Sequence, residues 1–141
     1  MATKTYVYFG VFDFGDDPGV VSAMMRIEPT EAWVKGEHYD APSPGARRTH
    51  SRWALKSGLD EAEPLEAHLG ALLVRLEPKR AEISQIAQRF PARIGVAQYF
   101  YEVNPGFRLE PEVLERFAAL GLPIDFDQYC LERDVSGRGD R

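Results

Sequence analysis

The stretch Thr5-Tyr6-Val7-Tyr8-Phe9-Gly10-Val11-Phe12-Asp13 decides how the rest of the chain is read. Aromatic and β-branched residues favour a pleated surface, so the segment is predicted as a strand. Side chains alternate across a strand. Val7, Phe9 and Val11 therefore point one way, and Tyr6, Tyr8 and Phe12 the other. Both sets are largely apolar, as in a central strand covered on two sides. A second aromatic strand is predicted over Arg93–Val103. Placing Ile94, Val96 and Phe100 inward there sends Ala97, Tyr99 and Tyr101 outward.

Between and beyond these strands, four predicted helices open on an acidic residue followed by proline: Asp17-Pro18, Glu63-Pro64, Glu77-Pro78 and Glu110-Pro111. Proline at the first helical position loses no needed hydrogen bond, and a carboxylate beside it suits the positive end of the helix dipole. The first helix runs to about Arg26 with Val20, Val21, Met24 and Ile27 as its stripe. The second has Leu65, Leu69, Leu72, Leu73 and Leu76 at helical spacing, interrupted by Pro78. A third carries Ile83, Ile86, Ala87 and Phe90 and stops before Pro91. The fourth carries Val113, Leu114, Phe117 and Leu120, with Gly121 placed as a left-handed cap.

Ala32–Lys35 and Thr49–Lys56 form a predicted hairpin joined by Gly36–Ala46, whose prolines and glycines mark a loop. Ile124-Asp125-Phe126-Asp127 alternates as a final strand, and Glu132–Arg141 has the composition of a frayed tail. The order is β-α-β-β-α-β with an additional C-terminal helix and strand, counting the broken helix as one. That order predicts an α+β fold: a ferredoxin-like plait, its sheet mainly antiparallel, with helices on one face. One domain is expected over residues 1–131, followed by a disordered polar tail over 132–141.

Composition narrows the function classes. With 141 residues the chain can bury a core without disulfides or metal. A net charge of −5 disfavours non-specific binding to nucleic acid or anionic lipid. Cys130 is the sole cysteine, which excludes an internal disulfide. No apolar run approaches the roughly 18–20 residues that span a bilayer, and no signal segment precedes the first strand, so a cytoplasmic protein is expected.

Several segments together resemble a bacterial family catalogued as domain of unknown function 4279. They are Met25-Arg26-Ile27-Glu28-Pro29-Thr30, Lys35-Gly36-Glu37, Trp53-Ala54-Leu55-Lys56-Ser57, Leu65 to Leu73 with Leu76-Glu77-Pro78, and Ile124-Asp125-Phe126-Asp127-Gln128-Tyr129. The resemblance covers nearly the whole chain except the tail. It implies a small stand-alone or appended bacterial domain with no established activity, and it carries no catalytic residues over.

Chemistry-bearing residues are sparse. Asp13, Asp16 and Asp17 suit a turn and helix start better than a cation site, since the loop lacks the further oxygen ligands of an EF-hand. His38, His50 and His68 lie in separate elements, so no metal centre or other cofactor is expected. His68, beside the leucine stripe, reads as a hydrogen-bonded core histidine, and Cys130 as a small packed residue. No phosphate loop, dinucleotide fingerprint or nucleophile elbow is present.

The outward face of the sheet is the candidate surface: Tyr6, Tyr8, Phe12, Lys35, His50, Arg52, Lys56, Tyr99 and Tyr101. Trp33 could join it from the second strand. The hairpin segment Glu31–Ser57 is net +2, which leaves −7 for the remainder. An aromatic and basic surface on an acidic protein fits a non-catalytic module that binds itself or another protein. Alternatives are a pocket or enzyme site for a small anionic ligand, a toxin-neutralising protein, and a single-stranded RNA binder whose rings stack bases.

Overall fold

The computed structural model describes residues 2–39 and 45–131. Among them the elements are β1 (Lys4–Phe12), α1 (Gly19–Met25), β2 (Glu31–Trp33), β3 (Arg52–Lys56), α2 (Leu65–Leu76), a 3-10 turn (Glu77–Lys79), α3 (Arg80–Arg89), β4 (Ala92–Tyr101), α4 (Pro111–Leu120) and β5 (Ile124–Leu131). The strands form one open sheet in the order β2-β3-β1-β4-β5. β1 runs antiparallel to β3 and β4, β2 antiparallel to β3, and β5 parallel to β4. The fold is α+β with a mostly antiparallel sheet.

One apolar cluster joins the helices to a single face of that sheet. Val7, Phe9 and Val11 of β1, Trp53 and Leu55 of β3, and Ile94 and Val96 of β4 form its floor. Val21 and Met25 of α1, the α2 leucines, Ile83 and Ile86 of α3, and Phe117 and Leu120 of α4 pack on it. The periodicity explains why. In α2 the five stripe leucines are all buried, and His68 lies among them at 1% exposure. Pro78 sits inside the 3-10 turn that joins α2 to α3, so the leucine helix ends at Leu76 and α3 places Ile83 and Ile86 on the core. Gly121 closes α4 in the left-handed conformation, φ 72°, its N–H donating to the Ala118 carbonyl at 3.0 Å.

Several sequence expectations need correction. The hairpin strands are shorter than Ala32–Lys35 and Thr49–Lys56. Gly36 turns at φ 93°, so Lys35 is an exposed turn residue, and His50 lies in a bend before β3. Irregular pairing continues past the strands: Gly36 N–H donates to the Arg48 carbonyl at 2.9 Å and Arg48 N–H to that of Glu37 at 2.7 Å. β4 stops at Tyr101, two residues before Val103. β5 continues to Leu131, twice the predicted length, because it finds a full parallel partner in β4. Cys130 is exposed rather than packed, since β5 is the outermost strand of the sheet. Leu114 is 48% exposed, because α4 buries the neighbouring track through Val113, Phe117 and Leu120. Met25, not part of the predicted stripe, is fully buried. The expected tail, 132–141, and loop residues 40–44 lie outside the described residues. Among the described residues no helix is long and apolar enough to cross a membrane.

Candidate interaction face

Strand register decides which side chains meet on the face away from the helices. β1 sets Tyr8 between Lys56 of β3 and Gly95 of β4, Tyr6 beside Ala97, and Phe12 beside Arg52. Lys4 stands opposite Tyr99, and Trp33 of β2 opposite Arg52. Asp125, Asp127, Tyr129 and Leu131 of β5 pair with Gly95, Ala97, Tyr99 and Tyr101 of β4, and so share this face.

Glycine lets two rings lie down on the sheet. A Cβ on Gly95 would come within 2.2 Å of Tyr8 Cζ, and one on Gly10 within 2.9 Å of the Phe12 ring. The rings thus use the space where other residues would place a side chain, which keeps Tyr8 and Phe12 half-buried without a helix above them. Cations cover their outer sides. The Arg52 guanidinium carbon is 4.3 Å from the Tyr8 ring centre, that of Arg93 4.0 Å from Phe12, and Lys56 Nζ 5.7 Å from Tyr6. Arg48 lies 3.7 Å over Trp33 and 4.1 Å from Tyr39, so the hairpin arms stand at the Trp33 end of the face. Such contacts hold a guanidinium flat against a ring through the ring's quadrupole.

The other half of the face has rings without cations. Tyr6 meets Tyr99 edge-on at 6.0 Å, and Tyr99 stacks on Tyr129 at 4.9 Å with their planes 14° apart. Among the described residues no cation lies over Tyr99, Tyr101 or Tyr129, and Tyr129 is 45% exposed. The surface is therefore divided: rings capped by cations on β1 and β2, uncapped rings on β4 and β5.

Charge pairing changes the electrostatic picture that the sequence suggests. Glu31, at the start of β2, receives Arg52 Nη2 at 3.3 Å and Lys56 Nζ at 3.6 Å. One carboxylate thus offsets one of these two positive charges, and the basic character expected of the face is reduced. Arg93 pairs with Asp125 at 3.2 Å. The Tyr6 hydroxyl donates a short hydrogen bond to Glu61; chiefly for that reason, and then by burial, its pKa is pushed up to about 12. Tyr129 is also held above the usual tyrosine value, first by the charge of Asp127 and then by burial.

Two depressions flank Arg52. One, about 340 Å³, lies at the Phe12 end between Trp33, Tyr39, His50 and Arg93. The other, about 350 Å³, is bordered by Tyr6, Tyr8, Tyr99 and Tyr129 with Glu31, Arg52, Lys56 and Asp127.

The predicted surface residues separate accordingly. Tyr6, Tyr8, Phe12, Arg52, Lys56, Tyr99 and Tyr101 share the face. His50 stands at its rim with Nδ1 3.7 Å from Asp13, and Lys35 is not brought to either depression. Sequence reasoning missed Glu31, Arg93, Asp127 and Tyr129. The alternation of Ile124–Asp127 was the available signal for Asp127, but its side of the sheet depends on pairing with β4.

Two further groups have structural roles. Asp17 Oδ1 accepts the Gly19 N–H at 2.8 Å, serving the start of α1. His68 Nδ1 lies 2.6 Å from Ser57 Oγ, and burial lowers its pKa against the opposing pull of the Asp60 and Glu63 carbonyls.

The fold and this face define a small α+β sheet domain with helices packed on one side and an aromatic, mixed-charge surface on the other. The chain belongs to the family described as domain of unknown function (DUF4279), whose model matches residues 3–131. No curated protein and no solved structure matches it.

Proposed function

We propose that this protein is a cytoplasmic, non-catalytic interaction module that buries the helix-free face of its sheet in self-association or against a protein partner. The carrying observation is the set of uncapped rings on β4 and β5, Tyr99, Tyr101 and Tyr129, on a face that no helix covers among the described residues. Tyrosine suits such a surface, because its ring can be buried while its hydroxyl keeps a hydrogen bond. The same reading takes the first six units as a ferredoxin-like plait extended by α4 and β5. The strand order β2-β3-β1-β4 with antiparallel neighbours supports it.

The small-ligand reading has support in the size of the two depressions, which falls near the lower end of the roughly 300–1,000 Å³ typical of ligand sites. An anionic ligand is disfavoured at the second, since Glu31 and Asp127 together balance the charges of Arg52 and Lys56 there. Base stacking by RNA needs open ring faces, whereas Tyr6, Tyr8 and Phe12 of β1 lie under Lys56, Arg52 and Arg93.

Light scattering over a micromolar concentration series tests self-association, and capture by wild type against face variants tests a partner. Tyr101→Ser and Tyr129→Ser are expected to shift a dimer towards monomer or to abolish capture while the melting temperature stays near wild type. A protein that is monomeric throughout, and whose variants are unchanged in solubility, stability and capture, overturns the proposal.

A further inference from the structure

Four charged side chains line the depression bordered by Tyr6, Tyr8, Tyr99 and Tyr129: Glu31, Arg52, Lys56 and Asp127. Three of them are engaged with one another, because Arg52 and Lys56 share Glu31 at 3.3 and 3.6 Å. Both cations also rest on tyrosine rings, at 4.3 and 5.7 Å. Asp127 stands apart. Asp125, two residues earlier on the same side of β5, is paired with Arg93, but Asp127 has no ion pair or hydrogen bond among the described residues. Its surroundings are the stacked rings of Tyr99 and Tyr129, over which no described cation lies.

An unpaired carboxylate beside uncapped aromatic rings attracts an organic cation. The carboxylate supplies Coulomb attraction and a hydrogen-bond acceptor, and the rings supply their electron-rich faces. We infer that the corner formed by Asp127, Tyr129 and Tyr99 takes a lysine or arginine side chain of a protein partner. This rests on the interaction-face reading and deepens it by naming the partner's chemistry.

Two observations favour a polypeptide over a free amine. The depression is open along the sheet and its tyrosine walls are themselves part-exposed, whereas small-molecule sites enclose most of their ligand. A side chain projecting from a partner brings the missing wall with it. The net charge of −5 also favours encounter with a basic surface.

The test is titration of the full chain with a capped pentapeptide of alternating glycine and arginine, followed by NMR amide shifts. Shifts are expected to concentrate at Tyr99, Asp127 and Tyr129. Asp127→Asn and Tyr129→Leu should each weaken binding about tenfold, since each removes one of the two attractions. Glu112→Gln makes the same charge change on the exposed side of α4 and should alter affinity by less than about twofold, as a distant screened charge does. Absence of peptide binding, or equal weakening by Asp127→Asn and Glu112→Gln, overturns the inference. Argininamide binding as tightly as the peptide overturns the assignment to a polypeptide. A capped glutamate peptide that shifts the same tyrosines while the arginine peptide is silent overturns the cation inference and leaves the interaction face standing, so the two readings fail separately.

Discussion

Two residues on the open face have consequences that can be measured singly. Gly95 matters for the carbon it lacks, since a Cβ there would stand 2.2 Å from Tyr8 Cζ. In Gly95→Ala the ring must leave the sheet, losing its contact with β4 and its position under Arg52. The expected cost in urea denaturation is about 1–3 kcal/mol, the usual range for overpacking. The cost should shrink in the double variant with Tyr8→Ala, because the two sites are in contact; additive losses would show that the ring does not occupy that space. Tyr6 gives a pH signature. Its folded pKa of about 12 exceeds the ordinary 10.0, so above pH 10 the unfolded chain releases a phenolic proton that the folded chain keeps. The stabilisation is whole below pH 10 and is lost as pH rises towards about 12. The stability gap between wild type and Tyr6→Phe should therefore narrow across that window in denaturation curves, and a constant gap would contradict the Glu61 hydrogen bond.

Among the elements, β5 is long but secured from one side only. It has one neighbour, β4, in parallel pairing, and every residue after Ile124 is exposed. Parallel pairing is slightly weaker per residue than antiparallel. β1, in contrast, lies between two strands and has Val7, Phe9 and Val11 under the helices. Native-state hydrogen exchange should show amide protection in β5 lower than in β1 by on the order of a hundredfold, as for a segment that opens locally. Equal protection would mean that β5 opens only with the whole fold. The same exposure explains what the sequence could and could not tell about it. An amphipathic strand announces its buried side, as β1 does, whereas Gln128-Tyr129-Cys130-Leu131 buries little and so carries no pattern to read. α2 is the opposite case, legible because its leucines are all buried on one stripe.

At the scale of the molecule, periodicity reports which side of each element is covered, and it separated Val7, Phe9 and Val11 from Tyr6, Tyr8 and Phe12 correctly. It cannot report which elements become neighbours. The parallel pairing of β5 with β4 brings Asp127 and Tyr129 to Tyr99, and the pairing of β2 with β3 brings Glu31 to Arg52 and Lys56. Those long-range pairings set a carboxylate against the two expected cations and add a second, Asp127, that has no ion pair among the described residues. The two rims of the sheet are also unequal: β2 contributes three residues and β5 eight. Strand-by-strand growth of an assembly needs a serviceable rim at each end of every copy. Among the described residues only β5 presents a rim of that length, so edge-to-edge joining of two copies is expected to stop at a pair, seen in light scattering as a dimer and no larger species.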